Sequence, residues 1–244
     1  MIIKQAMVLA AGLGTRMRPI TETMPKPLVR IGDKPMIDYV LDALVEAGVE
    51  TVAVNVHHHA DQMEAHLTNE TRARIRISDE RAQLMDSGGG LVKGLKLLDP
   101  DQPALVMNAD LFWVGERHDE PSNLVRLAQQ FDPSRMDMAM LCVEQERTTG
   151  HNGKNDFSMA DDGQLTRYVS GAPNPVVYAG ALALMPGLFE DAPDGPFNLN
   201  IYFDRAIAAG RLFGTDLIGQ WLTVGTRDAI APAEAMVARY GGGR

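Results

Sequence analysis

The chain has 244 residues, 45% of them hydrophobic, which is enough to bury one large α/β domain. Its formal net charge of −9 argues against a nucleic-acid partner, and no apolar run is long enough to cross a membrane. The single cysteine, Cys142, excludes an intramolecular disulfide and lies in an apolar run. We therefore expect a buried, unreactive thiol in a cytoplasmic protein that contacts neither membrane nor nucleic acid.

The charge is distributed unevenly along the chain. Residues 1–30 carry five basic side chains against the one acidic side chain of Glu22. A small basic region within an acidic protein favours a small anionic ligand over a polymer, although solvated surface charges would give the same pattern.

Hydrophobic periodicity predicts alternating strands and helices in the first half of the chain. The continuous apolar run at 5–11 predicts a strand buried on both faces, and helical spacing at 35–47, closed by Gly48, predicts a helix. Further strands are predicted at 51–56, 74–77 and 104–110, and further helices at 60–67 and 91–98. This alternation implies a parallel sheet whose ligands bind beyond the carboxyl ends of its strands.

The pattern is less regular after residue 115. Helices are expected at 122–131, at 199–209 and from about 227, strands at 136–143, 176–184 and 221–225, and a hairpin with an Asp-Gly turn at 157–169. No internal repeat or linker interrupts the chain. We therefore predict one domain over residues 1–240, with a frayed tail at 241–244.

The strongest functional signal is a glycine-rich turn after the first strand, LAAGLGTRMRP at 9–19, followed by PKPL at 25–28. Backbone N–H groups in such a turn approach phosphate oxygens closely, and Arg16 can donate two hydrogen bonds to a phosphate. Lys26 lies between two prolines on a stiff segment. Donors of this kind stabilise the charge that develops during phosphorus chemistry, whereas the alternative is a structural turn with surface cations. Neither the Walker A pattern nor the dinucleotide fingerprint matches.

These residues resemble the signature of the sugar-1-phosphate nucleotidylyltransferase family, Gly-x-Gly-Thr-Arg-Met-x-Pro followed by Pro-Lys-Pro-Leu. The resemblance implies one Rossmann-like α/β nucleotidyltransferase domain with a mixed, mostly parallel central sheet flanked by helices. It implies that Arg16 contacts the triphosphate and that Lys26 bridges the α-phosphate and the sugar phosphate. The sugar phosphate would attack the α-phosphorus directly, with Mg²⁺ assisting. The turn that would bind the nucleotide contains Ala11, Gly12, Gly14 and Thr15.

The segment DSGGG at 86–90 is the second signal. From the residues alone, Ser87 is expected to cap the helix that follows, and the glycines leave flat backbone for a ligand, with a structural turn as the alternative. In the family, the matching segment holds the base and ribose, which places Ser87 and Gly88 at the nucleotide. Either Gln83 or Glu80 would contact the base edge, and Gln83 is included among the nucleotide-binding candidates.

Asp110 is the third signal, because a carboxylate at the end of a buried strand is a common Mg²⁺ ligand, although it could merely cap the strand. The family has Gly where this chain has Ala109. We predict Asp110 as the metal ligand, and Arg16, Lys26 and Asp110 as the catalytic residues.

The motif WLTVGT at 221–226 departs from the family's Trp-x-Asp-Val-Gly-Thr, because Thr223 replaces the second metal-binding aspartate. A hydroxyl is a weaker ligand for a hard cation than a carboxylate. Asp110 with phosphates and waters could suffice, Asp216 or Asp228 could reach the metal, or the protein could bind nucleotide with little turnover.

The acceptor side carries weaker signals. Residues 150–157 are rich in hydrogen-bonding groups, and the motif at 178–180 resembles the family's aromatic-x-Gly, whose backbone meets the sugar. The three histidines at 57–59 are interpreted as a polar loop rather than a zinc site. The candidate sugar-phosphate ligands are Lys26, Asn108, Asn155, Tyr178 and Gly180.

Within the family, these motifs and the short C-terminus most resemble the N-acetylmuramate α-1-phosphate uridylyltransferases of cell-wall recycling. They also resemble the mannose-1-phosphate guanylyltransferases. We therefore predict an NTP, with UTP favoured, and a sugar 1-phosphate as substrates, with GTP and mannose 1-phosphate as an alternative. The same motifs would also suit a binding protein with little turnover, or an enzyme for phosphocholine or a polyol phosphate. A monomer or small homo-oligomer is expected.

Overall fold

The computed structural model describes residues 1–117 and 119–241 of the chain. Its strands are β1 (Gln5–Leu9), β2 (Arg30–Ile31), β3 (Lys34–Pro35), β4 (Thr51–Val56), β5 (Arg74–Asp79), β6 (Ala104–Asn108), β7 (Leu111–Val114), β8 (Met138–Val143), β9 (Thr148–Thr149), β10 (Phe157–Met159), β11 (Leu165–Arg167), β12 (Pro175–Leu184), β13 (Leu212–Asp216) and β14 (Gln220–Thr223). Its α-helices are α1 (Met36–Glu46), α2 (Ala60–Leu67), α3 (Asp86–Leu95), α4 (Asn123–Gln130), α5 (Asn200–Ala208) and α6 (Ile230–Tyr240).

The main sheet has β1 near its centre. Its strand order is β11-β10-β12-β6-β1-β4-β5, with β8 paired to β12 and β13 paired to β8. Strands β6, β1, β4 and β5 run parallel, whereas β12 runs antiparallel to both β6 and β8. This arrangement confirms the predicted α/β fold with a mixed, mostly parallel central sheet flanked by helices.

The central strands of this sheet are covered on both faces, which explains why β1, β6 and β8 are apolar without alternation, whereas the edge strand β5 alternates. Ala6 and Val8 of β1 face a core that includes α1, α2 and α4, whereas Met7 faces a second core that includes α3 and α5. Cys142 lies fully buried in the second core, and burial raises the pKa of its thiol far above the usual range. The prediction of a buried thiol is confirmed, and its raised pKa agrees with the expectation of low reactivity.

A third core links the glycine-rich signature to the end of the chain. A small sheet of order β7-β14-β9 packs with α6 against the segment that follows the turn. The buried side chains of this core include Met17, Val29, Leu222, Val224 and Val237. The segment that carries the glycine-rich signature therefore packs against residues from the C-terminal part of the chain.

Most predicted elements are present, and the hairpin with its turn at Gly163 is confirmed. The main difference is α3, which begins at Asp86 rather than at residue 91. Strands β7 and β13 and the two-residue strands β2, β3 and β9 were not predicted. Of the tail predicted at 241–244, residues 242–244 lie outside the described residues. In the described part of the chain, no helix combines the length and apolar character that a membrane span requires.

Candidate active site

A cavity of about 410 Å³, referred to below as the larger cavity, lies at the carboxyl end of β1. β1 and β6 are parallel neighbours, so the residues that follow them meet at one edge of the sheet. The cavity wall brings together seven of the residues predicted from the sequence, namely Gly12, Gly14, Thr15, Arg16, Lys26, Asn108 and Asp110.

The turn after β1 has the geometry of a phosphate-binding loop. Gly14 adopts the left-handed conformation with φ 63°, and a Cβ atom there would lie 2.8 Å from Cγ2 of Thr21. The Thr21 hydroxyl in turn donates a 2.8 Å hydrogen bond to the Gly14 carbonyl. A 3₁₀ turn follows at Thr15–Met17, and N–H groups at the start of such a turn have no partner within it. These groups are available to phosphate oxygens.

The side chain of Arg16 lies on the same cavity wall, next to Gly225 in the segment that follows β14. A Cβ atom on Gly225 would lie 3.2 Å from Nη2 of Arg16, so this glycine of the C-terminal motif leaves the space that the guanidinium occupies. Arg16 and Gly225 both line the larger cavity.

Lys26 and Asp110 form an ion pair through Nζ and Oδ2. Lys26 is only 8% exposed, because the segment between Pro25 and Pro27 folds it inward as a 3₁₀ turn. A buried ammonium group requires a negative partner, and Asp110 supplies it. A substrate phosphate can replace the carboxylate in this role.

A buried polar network that was not predicted from the sequence supports the cavity from behind. Oδ1 of Asn55 accepts the Ala10 N–H at 2.5 Å, and Nδ2 donates to Oε1 of Glu80 at 2.7 Å. Oε2 of Glu80 accepts the Met85 N–H at 3.0 Å. The available signal was a single amide within the otherwise apolar strand TVAVNV. Since Glu80 is fully buried, the alternative that it contacts the base edge is wrong, whereas Gln83 is exposed.

The DSGGG segment differs from expectation. Ser87 lies inside the first turn of α3 rather than capping it, and its Oγ accepts the Leu199 N–H at 3.0 Å. A Cβ on Gly88 would lie 2.2 Å from the ring of Phe197, and the Gly88 N–H donates to the Phe197 carbonyl at 2.8 Å. The protein itself fills the space beside these glycines. The glycines therefore make room for the protein's own packing on that side, and the contact of Ser87 and Gly88 with a nucleotide stays a prediction.

A second cavity of about 220 Å³, the smaller cavity, adjoins the first and shares Leu9 and Asn108 with it. Its other polar lining residues come from the acceptor segments and from the start of α5. They are Ser87, Asp156, Arg167, Tyr178, Asn198 and Asn200. Ser87, predicted at the nucleotide, therefore lines the smaller cavity rather than the larger one, together with Tyr178.

Five candidates are on the wall of neither cavity: Gln83 and Gly88, described above, and Ala11, Asn155 and Gly180. Ala11 is buried, and Oδ1 of Asn155 is buried with no hydrogen-bond partner in the described part of the chain. Gly180 lies at the bulge in β12 with φ 71°, where it packs against Leu111. Its role in the structure is to shape the strand.

Residues 5–161 match the family model described as Nucleotidyl transferase. The chain belongs to this family. N-acetylmuramate alpha-1-phosphate uridylyltransferase of Caulobacter vibrioides is 41% identical over 239 residues, covering 96% of this chain and 97% of that protein. Mannose-1-phosphate guanyltransferase of Aspergillus fumigatus is 28% identical over 91% of this chain and 60% of its own length.

The solved structure of a UDP-glucose pyrophosphorylase complexed with UDP-glucose superposes with a TM-score of 0.78 at 20% identity, covering 97% of this chain and 99% of that one. This likeness shows the fold. Together with the relatives, it confirms the predicted class of enzyme, a sugar-1-phosphate nucleotidyltransferase.

Asp110, the metal ligand predicted from the sequence, lies on the wall of the larger cavity beside the C-terminal motif. The Val224 N–H donates to the Asp110 carbonyl at 3.1 Å, which places Thr223 beside the strand that Asp110 precedes. Asp216 does not reach in, because it pairs with Arg147 outside both cavities. Asp228 lines neither cavity.

Within residues 1–117 and 119–241, no group of three or more His, Cys, Asp or Glu side chains could hold a metal. One carboxylate nevertheless suits Mg²⁺ in phosphate chemistry, because Mg²⁺ keeps several waters and takes its remaining ligands from substrate phosphates. The donor set around Asp110 therefore fits a metal that enters with the triphosphate.

Two of the three consecutive histidines have structural partners. Nδ1 of His57 lies 2.7 Å from the Glu80 carbonyl, and Nε2 of His58 lies 2.6 Å from the Thr21 carbonyl. Both contacts brace residues behind the cavity, in agreement with the interpretation of this segment as a polar loop.

Proposed function

We propose that this enzyme transfers a uridylyl group from UTP to N-acetylmuramate 1-phosphate, forming UDP-N-acetylmuramate and pyrophosphate. The observation that carries the proposal is the pair of adjoining cavities, which meet at Leu9 and Asn108 beside the Lys26–Asp110 pair. The choice of substrates is supported by the 41% identity to the Caulobacter enzyme over nearly the whole length of both chains.

The triphosphate would lie in the larger cavity, with its oxygens on the N–H groups of the turn and on Arg16. The sugar phosphate would enter from the smaller cavity. One of its oxygens attacks the α-phosphorus, the bond between that phosphorus and the bridging oxygen breaks, and pyrophosphate leaves with the bonding electrons. Lys26 leaves its ion pair with Asp110 and contacts the two phosphates as they approach each other. There it stabilises the negative charge of the transition state.

Mg²⁺ would be held by Asp110, with the hydroxyl of Thr223 as a nearby weak donor. When bound, the ion neutralises phosphate charge. The enzyme's own residues orient the two phosphates: the turn at 12–16 holds the leaving group, and Asn108 lies where the two cavities join.

The test is pyrophosphate release with Mg²⁺, using UTP, GTP, CTP and dTTP, each paired with the 1-phosphates of N-acetylmuramate, N-acetylglucosamine, mannose and glucose. We expect the highest kcat/KM for UTP with N-acetylmuramate 1-phosphate. A preference for GTP with mannose 1-phosphate would favour the guanylyltransferase alternative. Nucleotide binding by calorimetry without turnover for any pair would favour the binding protein or a non-sugar acceptor.

The proposed reaction consumes a nucleoside triphosphate and a cell-wall sugar, so we place the enzyme in the cytoplasm, in the recycling of cell-wall material. A monomer or small homo-oligomer stays a prediction.

A further inference from the structure

Arg167 is the only cationic side chain among the described residues that line the smaller cavity. It lies at the end of β11, on the hairpin that forms the edge of the main sheet. The other polar lining groups are amides, a hydroxyl, a phenol and the carboxylate of Asp156. The lining of this cavity therefore carries both signs of charge, and Arg167 supplies the positive charge.

The guanidinium of Arg167 is held in place from three directions. Nε donates to Oδ1 of Asp204 at 2.8 Å, and Nη2 donates to Oδ1 of Asn200 at 2.8 Å. The group also stacks over the ring of Phe157, 5.0 Å from its centroid. Nη1 has no hydrogen-bond partner among residues 1–117 and 119–241. The side chain is thus positioned in advance, with donors left for a ligand.

N-acetylmuramate differs from N-acetylglucosamine by a lactyl ether, which adds a carboxylate to the sugar ring. Resting on the function proposed above, we propose that Arg167 binds the carboxylate of the acceptor sugar and thereby selects an acidic sugar 1-phosphate over its neutral counterpart. A guanidinium has five N–H donors, so Arg167 can bind a ligand carboxylate while keeping Asp204 and Asn200.

Asp156 places a negative charge in the same cavity as the positive charge of Arg167. Its Oδ2 accepts the Tyr178 N–H at 2.9 Å, and its remaining acceptor capacity faces the same space as Arg167. A carboxylate accepts hydrogen bonds from sugar hydroxyls and repels a second carboxylate. The sugar therefore binds with its hydroxyl edge towards Asp156 and its acidic substituent towards Arg167.

A purely structural role for Arg167 would concern its pair with Asp204. Their side chains are 37% and 63% exposed, and exposed pairs of this kind contribute little to stability. Arg205 offers a matched control, because it forms a similar exposed pair with Asp191 and lines neither cavity.

The experiment compares kcat and KM for N-acetylmuramate 1-phosphate and N-acetylglucosamine 1-phosphate, with UTP, in the wild type and in the variants Arg167→Gln, Arg167→Lys and Arg205→Gln. For Arg167→Gln we expect kcat/KM with the acidic sugar to fall about 10- to 100-fold, mainly through KM, because a charge-assisted hydrogen bond is lost. The neutral sugar should change less than about twofold. Arg167→Lys should restore part of the preference, and Arg205→Gln should behave as wild type.

Equal losses on both sugars in Arg167→Gln would overturn the inference, as would unchanged kinetics on both. A wild type that uses UTP but prefers the neutral sugar would overturn it and leave uridylyl transfer standing. If the wild type released no pyrophosphate with either sugar, the proposed function would fail. Calorimetry would then compare the binding of the two sugar phosphates in the absence of turnover. The role of Arg167 is supported only if the wild type binds the acidic sugar phosphate more tightly than the neutral one and Arg167→Gln loses that difference.

Discussion

At the scale of single residues, the contact between Lys26 and Asp110 would, under the proposed function, couple substrate binding to metal binding. Each group neutralises the other while the site holds no phosphate. A phosphate that draws Lys26 away leaves the carboxylate of Asp110 free for a cation. Under the proposed function, the incoming triphosphate would therefore prepare the metal site for its own reaction.

Replacing Lys26 with alanine should lower kcat on the order of 10²–10³-fold, because a preorganised donor to the transition state is lost. The measurement is pyrophosphate release at saturating substrates. Lys34→Ala is the matched control, since Lys34 also pairs with an aspartate, Asp42, and lines neither cavity. A Lys26→Ala variant with nearly normal kcat would show that the lysine only binds the ground state.

Replacing Thr223 with aspartate should create a second carboxylate near Asp110. We expect the substrate-free protein to bind Mn²⁺ at least about tenfold more tightly, because hard cations prefer carboxylate over hydroxyl ligands. Electron paramagnetic resonance of free Mn²⁺ measures this directly and requires no turnover. Thr166→Asp, at an exposed position of β11, serves as control. Equal Mn²⁺ affinity in all three proteins would place position 223 outside the metal site.

The grouping of Gly14, Arg16 and Lys26 at one cavity could be predicted because all three belong to a motif that follows β1 closely in the sequence, whereas their binding of phosphate stays a prediction. The support from Asn55 and Glu80 could not be predicted, because their contact joins β4 to the residue after β5 and depends on tertiary packing. The same holds for Arg167, whose sequence context is an ordinary hairpin.

At the scale of elements, α3 shows how glycine permits close packing. Its first turn lies against Phe197 and its second against the Asn55–Glu80 pair, and a Cβ on Gly90 would lie 2.8 Å from both Nδ2 of Asn55 and Oε1 of Glu80. From the sequence, these glycines were expected in a loop because glycine is a poor helix former. Tertiary contacts determine the outcome here, and they extend the helix back to Asp86.

Gly90→Ala should lower the free energy of unfolding by about 1–3 kcal/mol, because the added methyl group overpacks a buried network. Urea unfolding measures the change. Gly12→Ala is the control, since no atom lies within 4 Å of a Cβ at that position and its stability should stay within about 0.5 kcal/mol of the wild type. A Gly90→Ala variant as stable as the wild type would mean that Asn55 and Glu80 can move aside.

The long elements with clear periodicity were predicted correctly, whereas β7 and β13 were missed. β7 begins only three residues after β6 ends, and the strand predicted at 104–110 stops at Asp110, so the apolar run at 111–114 was left unassigned. β13 contains Gly214, which weakens the strand pattern, and it forms only because it pairs with β8. Both strands depend on neighbours that are distant in the sequence.

At the scale of the whole molecule, the third core joins residues near the start of the chain to residues near its end. Met17 and Val29 from the signature segment pack with Leu222, Val224 and Val237. The C-terminal strand and helix therefore support the segment that follows the turn at 12–16, although neither carries a residue of the turn.

Leu222→Ala should destabilise the protein by about 2–5 kcal/mol, because Leu222 is completely buried in this core. Saturating UTP with Mg²⁺ should return part of that stability, because the ligand binds only the folded state. Urea unfolding with and without the ligand gives both values. Leu97→Ala, at a position that is 41% exposed, is expected to change little. Nucleotide affinity that is unaffected in folded Leu222→Ala would show that the turn is independent of this core.

The position of β1 between β4 and β6 has a consequence for local motion. Backbone amides at the centre of a parallel sheet exchange their hydrogens with solvent only when the whole domain opens, whereas unpaired amides in an exposed turn exchange quickly. Protection should therefore drop by orders of magnitude between Val8 and Leu13, over five residues of chain. Nucleotide binding should slow exchange in the turn alone. The strand beneath the site is then as stable as the whole fold, whereas the turn becomes ordered only when substrate binds.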